Sequence, residues 1–164
     1  MAIELIIATF PEDEGAAERV YERVQELKKQ NALTLLDAAI IVKPKEGEMT
    51  WKDIKDVDKK QGTVFGAITG GIIGLLGGPV GLVIGAAAGA ATGRVTAKLA
   101  DYGVSDDLIK GIESSMQPGS SAIILYLELK WVDTAIKRLE QNGATVYHET
   151  LPGSTTTYTP PIQV

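Results

Sequence analysis

A chain of 164 residues, 45% of them hydrophobic, holds enough apolar material for one good core, and its length makes a single domain the default. With 16 Lys and Arg against 21 Asp and Glu, the formal charge of −5 argues against DNA or RNA as the main partner. Cysteine is absent, which excludes disulfides, thiolate catalysis and cysteine-ligated zinc.

The stretch from Met1 to Gly15 has no basic region before its short apolar run and no small-residue cleavage site after it, so it reads as a strand and not as a secretion signal. The expected location is the cytoplasm or the cytoplasmic side of a membrane. Ile3 to Phe10 is a nearly continuous apolar run ending at Pro11, as in a buried strand. Glu12, Asp13 and Glu14 follow where a helix N-terminus favours negative charge, and Ala17, Val20, Tyr21, Val24 and Leu27 recur at helical spacing. Leu35 to Val42 predicts a second strand, closed by Lys43-Pro44-Lys45, and Met49 to Ile54 a short extra one.

The middle of the chain departs from this pattern. Gly62, Gly66, Gly70, Gly74 and Gly78 are spaced by four, as are Gly81, Gly85, Gly89 and Gly93, with Pro79 between the two series. Four residues advance a helix by about 400°, so each series forms a slowly drifting stripe without side chains. Glycine costs roughly 1 kcal/mol relative to alanine in a helix interior, and close backbone packing of two helices is the natural compensation. The spacing predicts a glycine-zipper helical hairpin over about 62–98, turning at Gly77-Gly78-Pro79. Its other faces are apolar, with Phe65, Ile68, Ile72, Ile73 and Leu76 candidates to face lipid or an oligomer core. Fifteen or so helical residues extend only about 22 Å, short of a hydrocarbon core of roughly 30 Å, so a re-entrant membrane hairpin and a hairpin plugged into an oligomer both fit. Lys55, Lys59, Lys60, Arg94 and Lys98 fall at the hairpin base as candidate head-group contacts. Interspersed Asp53, Asp56, Asp58 and Asp101 support the alternative of a mixed-charge solvated collar.

A short helix is expected over about 105–116, capped by Ser105 with Asp106 and Asp107 in its first turn. Ser121 to Leu129 predicts a strong strand, Val132, Ala135, Ile136 and Leu139 mark a helix ended by Asn142-Gly143, and Ala144 to Leu151 a last strand. Without the middle, the order is β-α-β followed by β-α-β. The fold class expected is α+β: a ferredoxin-like split β-α-β sandwich, with two helices on one face of an antiparallel sheet and its first and third strands central. Residues 1–44 and 118–152 form that discontinuous domain, 45–117 the insertion, and 153–164 an extended tail. The open sheet face calls for a partner, and pairing two such faces in a dimer is the economical solution.

No constellation for chemistry stands out. The glycine period of four lacks the strand-turn-helix context of a dinucleotide fingerprint and the Gly-Lys-Ser/Thr of a phosphate loop. His148, the only histidine, makes a poor metal site or triad. Trp51 and Trp131 suit either a membrane interface or the rim of a core. One tyrosine in SAIILYLEL is too little aromatic surface for RNA recognition on a sheet.

Leu36-Asp37-Ala38-Ala39, the glycine hairpin, Asp101-Tyr102-Gly103-Val104 with Asp106-Asp107, and Pro118-Gly119-Ser120-Ser121-Ala122 together resemble a prokaryotic family of uncharacterised proteins labelled as predicted membrane proteins, some of whose relatives carry general-stress labels. The resemblance extends to about Leu151 and implies a compact domain with a glycine-zipper hairpin and no catalytic residues to carry over. The expected protein is therefore non-enzymatic and without cofactor or metal. It self-associates as a homo-oligomer, with its hairpin buried in membrane lipid or an oligomer core. A soluble closed assembly or a small-ligand-binding regulatory domain is the alternative.

Overall fold

Two apolar runs, Ile3–Phe10 (β1) and Ser120–Glu128 (β4), lie side by side inside a five-stranded antiparallel sheet in the computed structural model of the chain, which describes residues 3–55, 59–77 and 88–151. With β2 (Leu35–Lys43), β3 (Thr50–Lys55) and β5 (Thr145–Thr150), the strand order is β3-β2-β4-β1-β5. Ile7 pairs with Ile124 of β4 on one side and Tyr147 of β5 on the other. Every residue of β1 and β4 is buried, which is why these strands read as continuous runs instead of alternating ones.

Among the described residues there are five α-helices: α1 (Ala16–Lys29), α2 (Lys59–Leu76), α3 (Ala88–Asp101), α4 (Asp106–Ser115) and α5 (Val132–Gln141). The first helix begins with help from the sheet. Ser121 Oγ accepts the N–H of Ala17 at 3.2 Å and donates to the carbonyl of Asp13 at 2.6 Å, while Asp13 Oδ1 accepts from Gly15 N–H at 3.1 Å. Ser105 caps α4 as its sequence context predicts, accepting from Leu108 N–H at 3.2 Å. Two helices end on left-handed glycines: Gly103 at φ 91° after α3 and Gly143 at φ 85° after α5, with Val104 N–H returning to Leu99 O and Ala144 N–H to Leu139 O.

Both faces of the sheet are covered. Ile6, Ala8, Ile40, Ile123 and Leu125 meet α1 and α5 on one side. On the other, Leu5, Ile7, Ile41, Ile124 and Tyr126 meet Phe65, Ile68 and Ile72 of α2, Leu99 of α3, and Leu108 and Ile112 of α4. The expectation of an open sheet face needing a second subunit is thus corrected: the middle segment of the same chain supplies the cover. A helix carrying so many apolar residues gains more by burying them on its own sheet, at about 1.5–3 kcal/mol per large side chain, than by leaving both surfaces wet.

Candidate functional site

Helix α2 has two unlike faces. Phe65, Ile68, Thr69, Ile72 and Leu76 recur at three- and four-residue steps and are all buried, at 1%, 0%, 3%, 2% and 5% exposure. The Phe65 ring stacks on Tyr126 of β4 with centroids 4.3 Å apart. The Tyr126 hydroxyl donates to the Phe65 carbonyl at 3.2 Å and lies 2.8 Å from Thr69 Oγ1, so the polar tip of this buried tyrosine is satisfied by the helix it supports. Phe65, Ile68, Ile72, Ile73 and Leu76, expected to face outward, are instead part of the chain's own core. Their hydrophobicity is spent on the sheet.

About half a turn round α2 from Phe65, the surface consists of Gly66, Ala67, Gly70 and Gly74, nothing larger than a methyl group. Gly70 is exposed, and a Cβ built on Gly66 or Gly70 meets no atom of the described residues within 4 Å. The glycine that touches α3 is a different one: a Cβ on Gly71 would lie 3.0 Å from Leu99 Cδ2 and 3.4 Å from Val95 Cγ1. Among the described residues, α2 thus meets Leu99 and Val95 of α3 at Gly71, beside the four-residue stripe. Gly71 lies outside the period of four and gave no signal of its own. Gly62 lies on α2, and Gly89 and Gly93 on α3, as backbone positions only; Gly78, Pro79, Gly81, Gly85 and the tail 153–164 fall outside the described residues.

The basic residues of the base are spread over three elements. Lys55 ends β3, Lys59 and Lys60 open α2, and Arg94 and Lys98 lie on α3. Lys98 is exposed. Asp56 and Asp58 lie outside the described residues.

Elsewhere, polar side chains do structural work. His148 Nδ1 on edge strand β5 lies 2.6 Å from Glu4 Oε1, and Thr150 Oγ1 donates to Glu4 Oε2 at 2.7 Å, so the pair holds a carboxylate that is only 3% exposed on β1. Ser105 is gripped by Glu149, whose carboxylate accepts from its N–H at 2.8 Å and from its hydroxyl. Asp13 is held below its ordinary value of 3.8, chiefly by the hydrogen bond from the Arg19 side chain, 2.5 Å away. No group of three or more His, Asp and Glu suited to a metal occurs among the described residues. Trp51 is 56% exposed on edge strand β3, whereas Trp131 is half-buried.

No helix among the described residues is long and apolar enough to cross a membrane. The family described as "Protein of unknown function (DUF1269)" matches residues 63–157, from the first turns of α2 through the sheet's last strand. That match covers more than half of the chain, which therefore belongs to this family. Neither a curated protein nor a solved structure matches it.

Proposed function

We propose that this DUF1269 member is a non-enzymatic protein that associates with further copies of itself through the small-residue face of α2. The observation that carries the reading is the pair Gly66 and Gly70: two helix-interior glycines with no atom of the described residues within 4 Å of their missing Cβ. Each costs roughly 1 kcal/mol of helix stability, and packing within the chain does not compensate for it among the described residues. Close approach of a second helix would, because a surface without side chains lets two backbones come within van der Waals reach. This is a glycine-zipper contact between copies.

Protein is favoured over lipid as the cover for this face, since the large apolar residues of α2 are already buried on the sheet. In the same reading, β1-α1-β2 and β4-α5-β5 are the two halves of a ferredoxin-like unit, residues 1–44 and 118–152. The insertion 45–117 lays its helices on the face that such a unit leaves open. Light scattering in detergent-free buffer tests the proposal. A mass of two or more chains is expected, falling to one chain in Gly66→Leu/Gly70→Leu. A wild-type mass of one chain, unchanged by detergent, overturns it.

A further inference from the structure

Helices α1 and α5 share one face of the sheet but do not close over it. They are tied where Arg23 Nη1 donates to Asn142 Oδ1 at 3.1 Å, while Asn142 Nδ2 donates to the Arg138 carbonyl at 2.6 Å. Between them lies a cavity of about 550 Å³, within the range of small-molecule sites. Its apolar wall comes from Val24, Leu125, Leu127 and Leu139. The small side chain of Ala135 on α5 leaves it open.

The polar groups in the same wall have a consistent sign. Arg23 and Arg138 line the cavity and have no carboxylate partner among the described residues, and Glu26 is the one acid beside them. Two arginines against one glutamate leave a single positive charge. Trp131 also lines the wall, with its indole nitrogen turned away from the accessible space and buried.

We propose that this cavity binds a small organic acid, an apolar body of medium chain length carrying one carboxylate. The body fills the leucine- and valine-lined floor, and the carboxylate sits between the Arg23 and Arg138 guanidinium groups. A monoanion matches the single net charge; a phosphate monoester, with nearly two charges, would leave one unpaired. Arginine suits the task because its planar fork meets a carboxylate with two parallel hydrogen bonds.

The test uses octanoate as probe and Trp51→Phe as background, so that Trp131 is the sole tryptophan and reports on the cavity by fluorescence. Trp51 is exposed and on the edge strand, so its replacement leaves the core intact. Octanoate is expected to change the emission saturably. Octanamide, of equal size and no charge, binds about tenfold more weakly, and Arg23→Gln or Arg138→Gln weakens octanoate about tenfold without affecting octanamide. Ala135→Phe, which fills the cavity, removes the response to both while circular dichroism stays unchanged. Emission unmoved by millimolar octanoate, or octanamide binding as well as octanoate, overturns the proposal.

Discussion

Replacing Gly66 and Gly70 together by alanine separates two roles that a glycine in a helix can have. If a glycine is there because something presses on it, a methyl group clashes and stability falls. If it is unencumbered within its own chain, alanine recovers the helix propensity. Among the described residues the missing Cβ at both positions meets nothing within 4 Å, so the second case applies. Each change is worth about 1 kcal/mol and the pair about 2 kcal/mol, which for a chain of this size raises Tm by roughly 4–8 °C. The measurement is calorimetry at a protein dilution where wild type and variant are both single chains, so that lost association does not enter. Gly71→Ala is the contrasting control. Its methyl group would press on buried Leu99 at 3.0 Å, and an overpacking penalty of about 1–3 kcal/mol outweighs or cancels the propensity gain. A lower Tm for the Gly66/Gly70 pair, or a gain in Gly71→Ala equal to theirs, would show that the two faces of α2 are wrongly assigned.

Other expectations concern the packing that holds α2 and α4 in place. Gly111→Ala drives a methyl into the Tyr147 ring, so the ring or α4 must shift; urea denaturation should show a loss of about 2 kcal/mol despite the better helix former. Tyr126→Phe deprives Thr69 and the Phe65 carbonyl of a buried hydroxyl and should cost about 1–2 kcal/mol by the same measurement. His148→Ala leaves the Glu4 carboxylate with Thr150 as its remaining side-chain partner on β5, at a cost of about 1–3 kcal/mol near neutral pH. Asp13 has a folded-state value below 3.8, so its contribution is present above that pH and lost as pH falls through the lower folded value. Asp13→Asn should therefore be less stable than wild type near neutrality and converge with it in strong acid, by a margin that shrinks in high salt because the Arg19 pair is exposed.

Much of the secondary structure is written locally. Apolar runs place β1 at the expected Ile3–Phe10 and β4 at Ser120–Glu128, one residue from the expected span, because a strand buried on both faces needs no alternation to be recognised. Ser105 with Asp106 and Asp107, and Asn142-Gly143, mark helix ends through interactions within one turn. What could not be read is which surfaces meet. The apolar stripe on α2 announces that something covers it, but lipid, a second copy and the chain's own sheet ask for the same side chains. Gly71 and Gly111 do structural work as close-approach positions while lying outside the conspicuous period of four. Ser121, in sequence a strand residue beside a turn, turns out to cap a helix that begins 105 residues earlier at Ala16, a contact no local pattern encodes. The cavity between α1 and α5 is of the same kind: Arg23 and Arg138 are ordinary surface positions on two amphipathic helices until the sheet brings them together.

Because the chain contains no cysteine, a single introduced thiol can report on pairing between copies without interference. Gly70→Cys, oxidised mildly at micromolar concentration, should give a disulfide-linked dimer, since two α2 helices touching backbone to backbone bring the pair within the roughly 4.4–6.8 Å between Cα atoms that a disulfide needs. Lys110→Cys, exposed on α4, should stay monomeric under the same treatment. If Gly70→Cys yields no more covalent dimer than Lys110→Cys, copies of this protein do not meet through α2.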